Sequence, residues 1–186
     1  MRRLLEAGVQ VFETRGYHAA RVDDIVKLAR TSHGTFYLYF SNKEDLFRAL
    51  AEEVGDALQT LAESLPALGR DGDGREALHD WIGRFADLYD EYGPVVRAWT
   101  EAEIGTHEFG RLGTDVLTRF TVTFADRISG ALPDRVDPGI AALALVAMVE
   151  RMNYYVLSKQ VHVTREQMVD TLADAMHAAL AFPAHR

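Results

Sequence analysis

The chain has 186 residues, of which 48% are hydrophobic and none is cysteine. That length suits one compact unit or a small module joined to a larger one, and the lack of cysteine excludes a disulfide framework and a thiolate metal site. The formal net charge of −8 argues against nucleic acid, yet residues 1–50 hold 8 Lys and Arg against 6 Asp and Glu. An acidic body with a mildly basic head can still present one face to phosphate.

No apolar run in the sequence reaches the roughly 18 residues of a membrane span, because the longest, near Ile140 to Val149, is shorter. The first residues place acidic side chains within a helical pattern and lack the apolar stretch of a signal peptide. We therefore expect a cytoplasmic protein without a membrane partner.

Apolar residues recur at three- and four-residue steps through the first 65 residues, which predicts four successive helices. They are a first helix that ends at Gly16, a short helix over Val22–Ala29, another over His33–Tyr39, and a long one from Asn42 to about Leu65. Asn42 is a good N-cap, and Asp45 three residues later nearly completes a capping box.

A proline- and glycine-rich break at Pro66–Gly74 separates these helices from the rest of the chain. Five further helices are predicted near residues 75–92, 94–104, 108–132, 138–159 and 164–182. Pro94 and Pro138 both fit the first turn of a helix. Since no strand-like alternation stands out, the predicted fold class is all-α.

Two short helices joined by about three residues, behind a bracing first helix, form a helix-turn-helix. Phe36 and Phe40 lie four residues apart on one face and are the expected core anchors. Tyr37 and Tyr39 are then freer to point outward. Gly34 permits close approach to a phosphate backbone, at a cost of about 1 kcal/mol in helix propensity.

The polar residues around this second short helix are candidates for contacts with nucleic acid. Thr35 adds a hydroxyl donor, and Lys43 lies in the first turn of the next helix, where free backbone N–H groups favour a phosphate. Ser32 and His33 at the tip are candidates for reaching base edges. Periodicity alone, however, is more typical of an ordinary surface helix with two tyrosines.

The run GTFYLYFSNKEDL, preceded by VDDIVKLARTS and AGVQVFETRGY, resembles the TetR family of bacterial transcriptional regulators over about Leu4 to Leu50. The resemblance implies a DNA-binding domain at residues 1–48, with its motif at about 21–40, and a ligand-binding and dimerisation domain at residues 49–186. It also implies that Thr35, Tyr37, Tyr39 and Lys43 contact phosphates while His33 and Gly34 face the groove. We expect a homodimeric repressor that a hydrophobic or aromatic small molecule releases from a palindromic operator in double-stranded DNA.

Two departures from the family pattern affect the motif. Ala20 and Arg21 stand where the family has a pair of hydroxyl residues, so the second helix loses its hydroxyl cap, although Arg21 could itself reach a phosphate. The turn reads Arg30-Thr31-Ser32 where the family has Gly-Val-Ser. If Arg30 adopts the left-handed conformation of that glycine, the turn is strained by about 1 kcal/mol.

The remainder of the chain is rich in aromatic rings, and Trp81, Phe85, Tyr89 and Tyr92 form a stripe at helical spacing. Ordinary core packing explains any single ring, whereas so much aromatic surface with few polar groups suits an apolar pocket. The predicted pocket residues are Trp99, Phe120, Phe124, Met148, Met152 and Asn153, with Thr121 and Thr123 as further polar groups. The stretches VVRAWTEAE and ALVAMVERMNYY resemble the branch of the family that contains the mycobacterial ethionamide-resistance repressor.

The last two helices are predicted to form the dimer interface. Alanines 141, 142, 144 and 147 allow close helix approach, and the final helix carries an apolar stripe of Met168, Leu172, Ala175, Met176, Ala179 and Leu180. In a monomer such a stripe could also pack inward. In the resembled family the equivalent pair makes a four-helix bundle across a two-fold axis.

We expect no enzyme, no cofactor and no metal site. No glycine-rich phosphate loop follows a strand, and no HExxH-like spacing occurs. Two alternatives to a ligand-released repressor stay open. The protein could be a transcriptional activator or respond to a protein partner, or it could be a ligand-binding helical protein without a DNA function.

Overall fold

The computed structural model describes residues 1–69, 74–103 and 107–180. These residues contain eight α-helices and no strand, which confirms the all-α class. The helices are α1 (Arg2–Ala19), α2 (Val22–Leu28), α3 (His33–Tyr39), α4 (Lys43–Ser64), α5 (Gly74–Glu103), α6 (His107–Ser129), α7 (Pro138–Leu157) and α8 (Arg165–Leu180).

The chain divides into two compact units. The first unit contains Met1–Ala57 and Glu91–Val116, and the second contains Leu58–Asp90 and Leu117–Arg186. The divisions fall within α4, α5 and α6, so each of these helices contributes residues to both units. The functional division at residue 48 stays a prediction.

Two glycines of α1, Gly16 and Gly8, have structural roles. Gly16 has φ 71° and ψ 171°, so it interrupts the helix where the sequence predicts an end; glycine adopts positive φ without a steric penalty. Gly8 lies against α4, because a Cβ added there would be 2.6 Å from Cδ2 of Leu46. The absence of a side chain at Gly8 therefore sets how closely α1 and α4 pack.

The start of α4 has the cap that the sequence predicts. Asn42 Oδ1 accepts a hydrogen bond from the Asp45 backbone N–H at 2.8 Å, and Asp45 Oδ2 accepts one from the Ser41 N–H at 3.1 Å. The second bond reaches one residue further back than in a full capping box. Hydrogen bonds from Ser41 and, to a lesser extent, the charge of Arg48 lower the pKa of Asp45.

Within the first unit, Glu53 of α4 joins two other helices. Its Oε1 accepts a hydrogen bond from Nη1 of Arg2 on α1 at 2.7 Å and from the hydroxyl of Tyr92 on α5 at 2.9 Å. Burial, followed by this hydrogen bond, raises the pKa of Tyr92 to about 12. One carboxylate oxygen thus connects α1, α4 and α5.

The structure corrects the prediction of two helices around Pro94. A single helix, α5, runs from Gly74 to Glu103 with Pro94 in its interior, and Ile104, the predicted end, lies outside the described residues. Proline removes a backbone donor and disfavours a helix interior. Val95 and Trp99 follow it and are buried, and their burial offsets that penalty because each large apolar side chain contributes about 1.5–3 kcal/mol.

The last helices begin at identifiable caps. Asp137 Oδ1 accepts a hydrogen bond from the Ile140 N–H at 2.9 Å, and Pro138 occupies the first turn of α7 as predicted. Before α8, Thr164 and Gln167 form a reciprocal capping box, with each side chain accepting from the other's backbone N–H at 3.2 and 3.0 Å. Phe182, the predicted end of the last helix, lies outside the described residues.

The core of the second unit is built around Trp81. Its ring stacks on Phe124 at 4.8 Å and on Phe120 at 6.2 Å between centroids, and its Nε1 donates to the Leu61 carbonyl at 2.9 Å. Stacked aromatic pairs add to the stabilisation that burial provides. Four residues of the interface stripe predicted on the last helix belong to this same core rather than to a free face: Met168, Leu172, Met176 and Leu180.

Within the described residues one helix, α7, is long and apolar enough by length and composition alone to cross a membrane. Its mean hydropathy is 1.4, and 28% of it is buried. The uninterrupted apolar run is shorter than a span, as the sequence indicates, because Glu150 and Arg151 end it at Val149. The helix is apolar enough only on average, and the buried Asn153 is a further polar group within it.

Candidate nucleic-acid interface

Helix α3 is anchored by buried aromatic rings and carries an exposed hydroxyl rim, which consists of Thr35, Tyr37 and Tyr39. Phe36 is fully buried and Phe40 nearly so, which confirms both as core anchors. Their ring centroids lie 5.6 Å apart. Tyr37 and Tyr39 are 57% and 48% exposed, and Thr35 is exposed as well. The helix therefore presents three hydroxyl groups to solvent, while Phe36 within it and Phe40 at its C-cap fix it to the core.

Ser32 caps α3 at its N-terminus. Its Oγ accepts a hydrogen bond from the Thr35 N–H at 3.1 Å and lies 3.0 Å from the Thr35 hydroxyl oxygen. A cap of this kind contributes about 1 kcal/mol. The sequence prediction for Ser32 is a contact with base edges and does not include this capping role. Serine directly before a helix is nevertheless a signal for an N-cap.

Next to this cap, Gly34 leaves the outer surface of α3 open. A Cβ added there would meet, within 4 Å, only the Ser32 Oγ at 3.7 Å. The backbone is thus accessible at this turn, as the interpretation of Gly34 requires.

His33, the first residue of α3, pairs with Asp23 in the first turn of α2. Its Nε2 lies 2.6 Å from Asp23 Oδ1, and both side chains are exposed. The carboxylate fixes the orientation of the imidazole ring. It also places a negative charge beside a residue that the resemblance assigns to the groove.

The turn between α2 and α3 closes as a Schellman motif with arginine in the position that glycine usually takes. The Thr31 N–H donates to the Val26 carbonyl at 3.0 Å, and the Arg30 N–H donates to the Lys27 carbonyl at 3.2 Å. Arg30 has φ 52°, so the left-handed conformation that the sequence departure suggested is confirmed. For a residue with a Cβ this conformation costs about 1–2 kcal/mol.

At the other end of α2, Arg21 is the N-cap residue. It has extended backbone and forms no side-chain cap hydrogen bond within the described part of the chain, which confirms the loss of the hydroxyl cap. Asp24 in the first turn pairs instead with Arg15 of α1, at 3.1 Å between Oδ1 and Nη2. The exposed Arg21 side chain lies beside the start of the motif.

Lys43, the first residue of α4, is held against α1. Its Nζ donates to the Tyr17 carbonyl at 2.9 Å and lies 4.6 Å from the centroid of the Tyr17 ring. An ammonium group has three N–H donors, so this bond uses one of them. No sequence pattern indicates Tyr17 as the partner of Lys43, because 26 residues separate the two.

The six predicted pocket residues do not share one unit. Trp99 belongs to the first unit, where its Nε1 donates to the Phe109 carbonyl at 2.9 Å. The other five belong to the second unit, and Phe120 and Phe124 there form the core stack on Trp81. Met148 and Met152 are partly buried against the same core.

Asn153 is a buried polar residue of the second unit with an incomplete set of partners. Its Nδ2 donates to the Val149 carbonyl at 2.8 Å, whereas its Oδ1 has no hydrogen-bond partner among the described residues. Gln59 and Thr121 of the same unit also bury an oxygen that lacks a partner in the described part. Gln59 was not predicted; its Nε2 donates to the Thr123 hydroxyl at 3.0 Å.

Comparisons with known proteins give relatives for nearly the whole chain. A family model described as "Bacterial regulatory proteins, tetR family" matches residues 4–50. The HTH-type transcriptional regulator EthR of Mycobacterium tuberculosis is 30% identical over 179 residues, which cover 91% of this chain and 81% of that protein. EthR of Mycolicibacterium smegmatis is 28% identical over the same share of this chain and 80% of its own length. The similarity therefore extends well beyond the motif.

Solved structures resemble the fold over its full length. A TetR-family regulator from Rhodococcus sp. superposes with a TM-score of 0.76 at 18% identity, covering 96% of this chain and 97% of that one. The regulator FadR from Bacillus subtilis, solved in complex with stearoyl-CoA, gives a TM-score of 0.72 at 21% identity, covering 99% of both chains. At these identities the likeness shows the fold alone.

Proposed function

Because the chain belongs to the TetR family of bacterial transcriptional regulators, we propose that it is a homodimeric repressor that a hydrophobic small molecule releases from a palindromic operator. The observation that carries the proposal is the division of α3 into a buried Phe36 and an exposed hydroxyl rim. A regulator of this kind acts on DNA in the cytoplasm.

The hydroxyl rim supports contacts with the walls of the major groove. Phosphate contacts fix the register of a protein on the duplex, and base contacts give the specificity. Thr35, Tyr37 and Tyr39 would donate to phosphates on either side of α3, with Lys43 and Arg21 adding positive charge. His33 and the open backbone at Gly34 would face the base edges.

An exposed apolar face of α7 supports a homodimer. Its apolar members recur at helical spacing, with the exposed Arg151 between the last two of them: Ile140, Leu143, Ala144, Ala147 and Tyr155. A depression lined by Ala144 and by Ala179 of α8 continues this face. A helix so apolar and only 28% buried in its own chain is consistent with a second copy covering it. Two-fold pairing would place the two α3 helices about 34–36 Å apart, on successive turns of the major groove.

The unpartnered Asn153 oxygen supports a ligand site in the second unit. A buried acceptor without a donor costs about 1–3 kcal/mol, and a donor on a ligand would remove that penalty. Met148 and Met152, one turn apart on the same helix, are adaptable apolar side chains. We therefore expect a largely apolar ligand with one hydrogen-bond donor.

Release from the operator requires that the ligand bind one state of the dimer better than the other. A ligand with equal affinity for both states changes no population, and a shift from 99:1 to 1:99 needs about 10⁴-fold preference. Helix α4 begins at Lys43 and continues past Leu58 into the second unit. Its displacement by ligand would change the separation of the two α3 helices.

The test is DNA retention by the purified protein. A gel shift at low salt uses the region upstream of the protein's own gene, together with duplexes selected from a random library. We expect a retained duplex with two symmetric half-sites about 10 base pairs apart. Failure to retain any duplex at low salt would favour a ligand-binding helical protein without a DNA function. A reporter with and without the gene separates repression from activation.

The dimer has its own test. Ala147→Glu places a charge on the exposed face of α7, so it should convert the protein to a monomer in light scattering and abolish retention of the symmetric duplex. Val122→Glu on α6 is the matched control, because Val122 is exposed in the same unit but lies on another helix. A dimeric Ala147→Glu variant would contradict the assignment of the interface.

A further inference from the structure

Helix α3 carries one side chain that the proposed phosphate contacts of Thr35, Tyr37 and Tyr39 do not explain. Leu38 is 75% exposed, the largest fraction among the exposed large hydrophobic residues of the described chain. It lies between Tyr37 and Tyr39 on α3. Single exposed leucines are common on protein surfaces. A functional role for Leu38 therefore has to be argued from its position on the helix.

Leu38 occupies the outermost line of α3. At 3.6 residues per turn, Leu38 and Gly34 each lie roughly 200° around the helix from the buried Phe36. A helical side chain leans toward the N-terminus and covers the preceding turn, which here is the turn of Gly34. The space beside Gly34 is open, since a Cβ there would meet only Ser32 Oγ. The isobutyl group therefore lies on the side of α3 furthest from the buried Phe36, next to open space at Gly34.

The chemistry of the isobutyl group limits what it can recognise. It has no donor for a phosphate, unlike the two tyrosines beside it. The base edges of the major groove present hydrogen-bonding groups and one apolar group, the C5-methyl of thymine. Ser32 is a weaker candidate for a base contact than the sequence indicates, because its hydroxyl already caps Thr35.

We propose that Leu38 reads a thymine methyl group in each half-site of the operator. This inference rests on the proposed function, since it needs α3 in a major groove. It assigns to Leu38 a part of the sequence specificity that the hydroxyl rim and Lys43, as phosphate contacts, do not supply.

The test removes the methyl group from the DNA. A duplex selected by the wild-type protein is resynthesised with each thymine in turn replaced by deoxyuridine, which leaves base pairing unchanged. Burial of one methyl group contributes about 0.8 kcal/mol. Replacement of the contacted thymine in a single half-site should therefore weaken binding about fourfold. Replacement at both symmetric positions should weaken it about fifteenfold if the half-sites are independent.

Variants of the protein identify the side chain responsible. In Leu38→Ala the uracil effect at that position should vanish, while Leu28→Ala should keep it in full. Leu28 is a matched control because it is also an exposed leucine of the first unit, on α2. Leu38→Ala should unfold at the wild-type temperature, since the side chain is largely exposed.

Two results would overturn the inference and leave the proposed function intact. One is a selected duplex whose affinity stays within twofold at every uracil substitution. The other is an equal uracil effect in wild type and Leu38→Ala. Selection of no duplex at all would instead contradict the proposed function itself.

Discussion

Nε2 of His33 lies 2.6 Å from Oδ1 of Asp23, so the first residue of the recognition helix is oriented by a carboxylate of the preceding helix. Asp23→Ala should release the imidazole and remove a negative charge from the side of the protein proposed to face DNA. We expect higher affinity for a scrambled duplex and a smaller ratio of specific to non-specific affinity. Fluorescence anisotropy with both duplexes at one salt concentration measures that ratio. An unchanged ratio would show that the pair has no part in recognition.

The hydroxyl rim and Lys43 should contribute to affinity without regard to sequence. Tyr37→Phe combined with Tyr39→Phe should weaken binding to every duplex by about 1 kcal/mol per hydroxyl. Lys43→Ala should also reduce the slope of log affinity against log salt by about 1 per protomer. Thr118→Val, which removes an exposed hydroxyl from α6, is the control. Unaltered affinity and salt slope would refute the phosphate contacts.

Arg30 should be replaceable by glycine with a gain in stability. Its φ of 52° is unfavourable for a side chain with a Cβ, and relief of that strain should raise the free energy of unfolding by about 1 kcal/mol. Lys27→Gly, within α2, should lower it by a similar amount. Denaturant titration at one protein concentration compares the midpoints. A loss of stability in Arg30→Gly would mean that the arginine side chain outweighs the backbone strain.

Asp45 should make stability depend on pH in the acid range. The hydrogen bonds from Ser41 lower its folded pKa, so the carboxylate stabilises the fold above its unfolded pKa of about 3.9. That contribution is lost as the pH falls through the lower folded pKa. Asp45→Asn should therefore melt earlier at pH 6 and lose less between pH 5 and pH 2. Asp115→Asn on α6 serves as the comparison; equal acid sensitivity in both variants and wild type would contradict the role of Asp45.

Asn153 should lower stability in the absence of a ligand and be needed for the response to one. Asn153→Leu removes a buried acceptor without a partner, so its melting temperature should equal or exceed that of wild type. The same variant should lose most of the melting shift that an apolar compound, identified by screening, produces in wild type. Gln160→Leu, an exposed amide after α7, is the control. A full ligand shift in Asn153→Leu would exclude this residue from the site.

The first four helices could be predicted from the sequence because short-range signals determine them. Gly16 marks the interruption of α1, Asn42 caps α4, and the spacing of Phe36 and Phe40 defines the buried face of α3. The left-handed Arg30 follows from its position, where the resembled family has glycine. Each of these features depends on residues within one or two turns of each other.

The errors arose where tertiary packing decides. The preference of proline for the first turn of a helix predicts a new helix at Pro94, whereas α5 continues through Pro94 and buries Val95 and Trp99 after it. The apolar stripe of α8 predicts either a dimer interface or inward packing, and Met168 and Met176 pack in the chain's own core. Periodicity shows that a face is covered but not what covers it.

Other features connect residues that are distant in sequence, and no local pattern indicates them. The pairs of His33 with Asp23 and of Lys43 with Tyr17 are of this kind. The cap formed by Thr164 and Gln167 is different, because the two residues have the spacing of a capping box and were readable.

The Glu53 oxygen that Arg2 and Tyr92 share links the start of α1 to α5. Arg2 and Tyr92 donate to the same atom, so a rotation of α5 that withdrew the phenol would alter the charge and solvation that Arg2 meets. Amide protons of α1 should then exchange faster whenever this part of α5 loosens. The N-terminal turn of α1, far along the chain from Tyr92, would therefore report a disturbance of α5.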